Sequence, residues 1–327
     1  MSQNEPVRRS DLDEYRKRLG PRDLMVERRN GKANGLLPQR YSAALRAFHQ
    51  RRDVDQYLVL SEDMGFVLAG LLRAVGWKGQ LQIVVHAGQG ARRRRLFRLT
   101  DSDLVKNYIV FCERQRQILI NEIGLDAGKV NTLLNPVDTV FFDSSRVSSP
   151  SGAGGYVFAC GLENRDYDTL FEAAAKTDLP HIIQATGYFV EETNSAAQLS
   201  NVDVRKQRVS FERLRELYHE SAFVVVPLNS VDYAAGVNGI LEAMAMGKAV
   251  IAMQSPGLED YIRVEGVCVV PPKDPRALAD AMKDLRASPE RCAELGAINR
   301  KWVVEQCEVS DYADKVSALM EQTPAAQ

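Results

Sequence analysis

The sequence predicts an α/β protein built from two parallel-sheet domains, and three observations lead there. Short β-rich apolar runs alternate with helical patterns along most of the chain. A stretch rich in Ser, Gly and Pro interrupts that rhythm near the middle, and the rhythm then restarts. The length, 327 residues, exceeds what one ordinary core holds and fits two domains of roughly 150 residues.

In the N-terminal half, two Asn-Gly turns (Asn30-Gly31 and Asn34-Gly35) precede residues 37–49, whose apolar spacing is helical. Residues 57–60 form a short apolar run, 65–75 a helix and 81–85 a second run. A third run lies within 103–112, and 113–123 is helical. Residues 143–155 (DSSRVSSPSGAGG) cannot bury a face and read as a linker. Beyond them, strands are expected at 156–160, 181–185, 222–226, 249–253 and 266–270. Helices are expected at 167–175, 211–220, 239–246, 274–287 and 289–306, with a helical turn at 257–261.

Composition narrows the class. A hydrophobic share of 45% and a charged share of 26% describe an ordinary globular chain rather than a disordered one. No run of about 18 apolar residues occurs, so no span of a bilayer is expected. Residues 1–19 are polar, without the apolar core of a signal peptide. The cysteines at 112, 160, 268, 292 and 307 form no CxxC pair and no Cys/His cluster at metal spacing. Reduced thiols, no bound metal and a cytoplasmic location are therefore expected. Residues 1–146 carry 25 Lys and Arg against 17 Asp and Glu, leaving 17 against 26 for the rest. A basic and an acidic half point either to different partners or to solvated surfaces.

The segment richest in chemistry begins with the apolar Val224-Val225-Val226, which ends at Pro227. The loop Ala234-Ala235-Gly236-Val237-Asn238-Gly239 then leads into a helix that stops at Gly247. A helix N-terminus offers free backbone amides and the positive end of a dipole, a fit for a diphosphate. Gly236, Val237 and Asn238 are the candidate phosphate-binding positions. Glu242, one turn inside, can accept hydrogen bonds from ribose hydroxyls. A plain strand–loop–helix turn would have the same local look.

Taken over residues 224–262, this segment resembles glycosyltransferase family 4, group 1 type retaining enzymes of the GT-B fold. LEAMAMGKAVIA (241–252) matches the family's helix start, and SPGLED (255–260) the turn after the next strand. The resemblance implies that Glu242 is the ligand of the nucleotide ribose. It also implies a Glu eight positions earlier against the donor sugar, where this chain has Ala234. Residues 107–142 resemble the family's crossing between domains, with Pro136 in place of the usual Gly. GLENRDYDTLFEA (161–173) is similar to a strand and helix that hold the donor phosphates. There Arg165 falls where the family has a Lys, and Leu162 where it has an Arg. A guanidinium can grip a diphosphate bidentately; a solvated Arg paired with Asp166 is the alternative. IQATGYFV (183–190) resembles the strand and turn flanking the nucleotide. The resemblance spans about residues 57–286, and NGKANGL (30–36) is the nearest candidate for the family's missing Gly-rich loop.

Three features of the N-terminal half bear on the second substrate. His86, in IVVHAGQG (83–90), ends an apolar strand where the family often has a His beside the transferred sugar. Glu62 also follows a strand and either reaches the acceptor or belongs to a helix cap with Ser61 and Asp63. The run Arg92-Arg93-Arg94-Arg95 either meets an anionic lipid or phosphorylated acceptor, or forms a solvated helix face. Nucleic acid is not an expected partner, since no recognised module accompanies the run.

The resemblance thus implies a GT-B fold, two Rossmann-like α/β domains facing each other across a cleft. The expected divisions are a shortened acceptor domain at 1–146, a linker at 147–155, a nucleotide-sugar domain at 156–305 and a C-terminal helix at 306–327 returning to the first domain. The expected activity is retaining, hexosyltransferase-type transfer from a UDP- or GDP-linked sugar to a glycan, lipid-linked or small-molecule acceptor. The nucleotide sugar is substrate, and no further cofactor is expected. Peripheral contact with the inner face of a membrane would run through Arg92–Arg95. Two rivals stand beside this. One is a degenerate relative that binds without catalysis, favoured by Ala234, Leu162 and the short N-terminal region; the other is a different GT-B activity such as an epimerase or phosphorylase.

Overall fold

The computed structural model describes residues 8–27, 39–87, 90–148, 155–185 and 199–322, which form two α/β units. One unit holds Ser10–Leu134 together with Ser310–Gln327. Its strands are β1 (Asp23–Val26), β2 (Gln56–Val59), β3 (Gln80–Val85), β4 (Val105–Val110) and β5 (Val130–Thr132). They pair in parallel in the order β1-β2-β3-β4-β5. Every residue of β3 (QLQIVV) is buried, as a central parallel strand covered on both faces requires.

A sheet in strictly sequential order sends its right-handed crossovers over one face. The crossover helices are α2 (Gln39–His49), α3 (Glu62–Ala74), α4 (Ala91–Thr100) and α5 (Glu113–Gln117), the last continuing as a π-helix over Ile118–Ile123. Ala44, Leu68, Leu72, Phe97 and Leu119 from these helices share one core with Tyr57, Ile83 and Tyr108. Side chains one position away point to the opposite face, and there Gln82 accepts from the Asn107 amide at 2.6 Å. That face needs a cover from elsewhere in the chain. It is supplied by α12 (Val309–Glu321), whose Leu319 carbonyl accepts from Asn107 and whose Tyr312 meets Tyr15 of α1 (Asp11–Arg18).

The other unit comprises Met1–Arg9 and Asn135–Val309. Its strands are β6 (Val157–Cys160), β7 (His181–Gln184), β8 (Val202–Arg205), β9 (Phe223–Val226), β10 (Val250–Met253) and β11 (Val267–Val270). All are parallel, in the order β11-β10-β9-β6-β7-β8. Counted from β6, this is the doubly wound 3-2-1-4-5-6 order, reversing between β6 and β9. Its helices are α6 (Tyr167–Ala174), α7 (Phe211–Glu220), α8 (Val237–Ala245), α9 (Glu259–Ile262), α10 (Pro275–Ala287) and α11 (Pro289–Gln306). The expected strands and helices of residues 156–306 match these within two residues at most ends, while β8 was not anticipated.

The unit boundaries differ from those expected at 146, 156 and 305. The chain changes units between Leu134 and Asn135 and again between Val309 and Ser310. The reason is side-chain burial: Phe141 and Phe142 are fully buried, and Phe142 meets Tyr218 of α7 edge-on. Arg300 of α11 donates to the Phe142 carbonyl at 2.9 Å, and Val137 bridges to Glu308. The Ser/Gly-rich stretch therefore falls within one unit, and its residues 149–154 lie outside the described residues. So do the loop candidate at 30–36 and residues 186–190. Among the described residues, no helix is long and apolar enough to cross a membrane.

Candidate functional site

In a doubly wound sheet the crevice opens at the carboxyl ends of the two strands where the order reverses. Here those ends are Cys160 of β6 and Val226 of β9. The loop leaving β6 turns at Gly161, whose φ of 112° is left-handed. It returns as Arg165, which bridges to Leu228 just past β9. The guanidinium folds back over the loop: Nε donates to the Cys160 carbonyl and Nη1 to the Glu163 carbonyl, both at 2.9 Å. Asp166 does not pair with it; its side chain caps α6 through the Thr169 amide.

The loop leaving β9 ends at Gly236, which has a φ of 76° and caps α8 with no side-chain hydrogen bond. The backbone amides of Val237 and Asn238 thus open the helix, whose first residue is Val237 rather than the expected Gly239. Both glycines hold left-handed backbone angles that other residues rarely adopt, and both lie against the Arg165 side chain. A Cβ on Gly236 would stand 2.6 Å from Arg165 Nη1, and one on Gly161 only 2.1 Å from Nη2. The arrangement lays a guanidinium against the N-terminal end of α8. A fixed positive charge, forked donors and the positive dipole end then act on one point, the requirement for holding a diphosphate. The Asn238 side chain is engaged separately, accepting from Asn135 at 2.7 Å.

Glu242 sits one turn further along α8 and is 8% exposed. The Tyr218 hydroxyl donates to its Oε2 at 3.0 Å and lies 3.0 Å from Cys160 Sγ. Burial pushes the Glu242 carboxyl up to about 7, against the Tyr218 hydrogen bond and the charges of Arg8 and Arg165, which favour the carboxylate. Burial also pushes the Cys160 thiol up to about 11, so it stays protonated and unreactive at neutral pH. Beside Ala234, the Tyr233 hydroxyl donates to Glu163 Oε1 at 2.8 Å and accepts from the Asn164 amide. The Glu163 carboxylate is thereby tied to the residue that precedes Ala234, where the expected Glu is absent.

In the other unit, His86 lies just past the end of β3 and is exposed. Its Nε2 donates to the Leu60 carbonyl at 3.0 Å, which leaves Nδ1 as the remaining ring position. Glu62 is 2% exposed, and its two oxygens accept from the backbone amides of His86 and Ala87 at 3.1 and 3.2 Å. Its geometry is that of a clamp holding the His86 loop. The arginine run also divides. Arg93 reaches Glu62 and Asp63 and donates to the Ala87 carbonyl, and Arg94 pairs with Glu122 at 2.5 Å. Arg92 and Arg95 are exposed, without an ion pair among the described residues. No group of three His, Cys, Asp or Glu side chains gathers at metal-binding distance among the described residues.

The structure brings Arg165, Gly236, Val237, Asn238 and Glu242 to one crevice, and His86 and Glu62 to one loop of the other unit. Reasoning from sequence missed Tyr218, Glu163 and Tyr233. Tyr218 carried no signal, because it reads as part of the apolar stripe of α7.

The parallel sheet with this strand order, and a helix opening without a side-chain cap beside its reversal, belongs to the doubly wound α/β class. Residues 157–288 match the family model described as glycosyl transferases group 1. No curated protein matches the sequence. Among solved structures, the chain is similar to the sucrose-phosphate synthase of Thermosynechococcus elongatus, with a TM-score of 0.70 and 20% identity over 88% of this chain and 77% of that one. It is similar to Anabaena HepE in complex with UDP, with a TM-score of 0.73 and 14% identity over 86% and 82%. It is also similar to an α,α-trehalose 6-phosphate synthase from Burkholderia multivorans, with a TM-score of 0.66 and 13% identity over 87% and 74%. These likenesses establish the fold, the GT-B architecture of two parallel α/β units.

Proposed function

We propose that this chain is a glycosyltransferase that moves a sugar from a nucleoside diphosphate donor to an acceptor, with retention at the anomeric carbon. The observation that carries the reading is the Arg165 guanidinium lying against the uncapped start of α8 at the strand-order reversal. As the bond from the sugar to the diphosphate breaks, negative charge collects on the leaving phosphate and positive charge on the anomeric carbon. Arg165 and the amides of Val237 and Asn238 stabilise the first, and they are preorganised to do so. Glu242 accepts from the ribose, and the Glu163 carboxylate beside Ala234 takes the place of the missing Glu toward the sugar. A UDP-linked donor is favoured over a GDP-linked one, because HepE is described in complex with UDP and with UDP-glucose.

The acceptor belongs to the other unit, with His86 Nδ1 toward its hydroxyl and Glu62 holding the loop. Arg92, Arg95 and the exposed Leu99 give α4 a face for an anionic, lipid-linked acceptor or the inner surface of a membrane. The replacement of the expected Glu by Ala234 favours a second reading, a chain that binds nucleotide sugar without turning it over.

A panel of UDP, GDP, ADP and their sugars tests both readings, since a ligand of the folded state raises the melting temperature. A rise with UDP-type ligands and slow release of UDP from a UDP-sugar are expected. No rise with any nucleotide sinks the donor site, and binding without release selects the second reading.

A further inference from the structure

We propose that Tyr218 is a positioning residue of the nucleotide site: its hydroxyl holds Glu242 Oε2, so that Oε1 is the oxygen presented to the ribose. This rests on the donor reading above. Tyr218 is fully buried, and its ring is fixed from two sides. Phe158 of β6 meets it edge-on with 5.0 Å between centroids, and Phe142 does so at 6.3 Å. The hydroxyl donates to Glu242 Oε2 at 3.0 Å, whereas the Gly239 carbonyl stands farther off at 3.4 Å. Burial holds the phenol well above its ordinary range, so the proton stays on the hydroxyl and the group remains a donor.

The bond to Oε2 is backed from behind. Cys160 Sγ lies 3.0 Å from the Tyr218 oxygen. A hydroxyl has one proton to give. With that proton turned to the carboxylate, the stronger acceptor, the thiol is the donor in the second contact. Burial keeps the thiol protonated, which this direction needs. Hydrogen-bond donation thus runs from Cys160 to Tyr218 to Glu242, each member fixing the next. Glu242 Oε1 makes no hydrogen bond among the described residues, and it is not sealed from solvent.

Gly239 joins this relay to the phosphate subsite. It lies three residues before Glu242 on α8, so the two share a face. A Cβ on Gly239 would stand 3.6 Å from Arg165 Nη2 and 3.8 Å from both Cys160 Sγ and the Tyr218 hydroxyl. The Arg165 guanidinium and the Tyr218 hydroxyl therefore meet over one bare residue of α8. A ligand that carries phosphates and ribose hydroxyls a few ångströms apart spans both, and a nucleoside diphosphate is such a ligand.

Calorimetric binding of UDP and of dideoxyuridine diphosphate, which lacks both ribose hydroxyls, tests this on the full chain. Wild type is compared with Tyr218→Phe, Cys160→Ala, Glu242→Ala and the double variant Tyr218→Phe with Glu242→Ala. Phenylalanine keeps the ring packing and removes only the hydroxyl. Tyr218→Phe should weaken UDP about tenfold, the scale of one hydrogen bond to a charged group. The dideoxy nucleotide should bind that variant as it binds wild type. Cys160→Ala should show the same selective loss, smaller in size. Once Glu242 is Ala, the tyrosine has no carboxylate to hold, so Tyr218→Phe should cost nothing further.

Equal losses for the two nucleotides, or additive losses in the double variant, would reflect packing alone and overturn the assignment. An unchanged UDP affinity in Tyr218→Phe overturns it as well, while the donor site stands. So does a wild-type chain that binds both nucleotides equally, because Glu242 then has no ribose to hold. Should Tyr218→Phe fail to fold, Cys160→Ala carries the same comparison. If neither UDP nor GDP binds the wild-type chain, the donor reading falls and the role of Tyr218 falls with it.

Discussion

The two units are made of the same parallel strands and crossover helices, yet they handle buried charge in different ways. In the unit of β6–β11 the strand order reverses, and the reversal leaves a crevice into which Arg165, Glu242 and the start of α8 converge. Among the described residues of the unit of β1–β5 the order does not reverse, so its sheet has no switch point of this kind. Its buried carboxylates are spent within the fold: Glu62 on two backbone amides and Arg93, and Glu14 on Lys17 and Arg18. A doubly wound sheet thus provides a ligand site through topology alone, whereas a sequential sheet must build one from a loop. The sequential sheet also has a face that its own crossovers leave bare, and it depends on α12 to cover it.

That dependence sets the largest expected effect. Ending the chain after Ser310 removes Tyr312, Ala313, Val316 and Met320, all buried. Each large apolar side chain is worth about 1.5–3 kcal/mol when buried, so the loss rivals the 5–15 kcal/mol that holds a typical domain. The unit of β1–β5 should lose its cooperative unfolding, read from the fluorescence of Trp77, while the crevice unit keeps its fold. A truncated chain with an unchanged Trp77 transition would show that α12 is dispensable as a cover.

Next in size is the guanidinium. Arg165→Ala should weaken UDP by about 3 kcal/mol, the loss of charge-assisted bonds to a diphosphate. Arg165→Lys should recover part of this, because it keeps the charge and loses the fork. Uridine, which lacks the phosphates, should bind all three chains alike. Equal losses for uridine and UDP would move Arg165 out of the phosphate subsite.

Glu242 sharpens the contrast through pH. Its folded carboxyl is raised to about 7 from an ordinary 4.5, with burial the main cause. A raised acid stabilises the fold fully below the ordinary value, and that stability is lost as pH rises through about 7. The change amounts to about 3 kcal/mol. UDP affinity should run the other way and improve over the same window, because the ribose needs the carboxylate. Glu242→Gln should flatten both trends, leaving the apo protein more stable than wild type at pH 8.5 and its UDP binding weaker. Melting curves at pH 5 and 8.5, with and without UDP, separate the two. Parallel trends in stability and affinity would rule out Glu242 as the group that titrates.

Much of the crevice unit was legible in the sequence because its strands are short apolar runs bounded by turns. Phe223–Val226 and Val250–Met253 are buried throughout, and such runs declare themselves. The edge strands did not: β1 has one buried residue, Val26, and β8 has none, so neither shows an apolar pattern. Strand order was unreadable as well, since it is fixed by pairings between distant segments. The site divides along the same line. Arg165, Gly236 and Glu242 lie in local motifs that state their chemistry. Tyr218 reaches Glu242 from 24 positions away, and nothing in its own neighbourhood marks it.

The smallest expected effect concerns the arginine run, where the structure separates four residues that look alike in sequence. Arg93 and Arg94 are tied to Glu62, Asp63 and Glu122, whereas Arg92 and Arg95 face outward. Near an anionic membrane each free Arg is worth about 1 kcal/mol. Arg92→Gln with Arg95→Gln should therefore weaken sedimentation with phosphatidylserine vesicles by about 2 kcal/mol, with little change in melting temperature, because exposed charges contribute little to the fold. Arg93→Gln should do the reverse, since it loosens the clamp on the His86 loop. If all four substitutions weaken vesicle binding equally, the run acts as a diffuse charge and the division drawn from the ion pairs is wrong. If none does, α4 is a solvated face, and the acceptor is recognised through His86 and its loop without help from a surface.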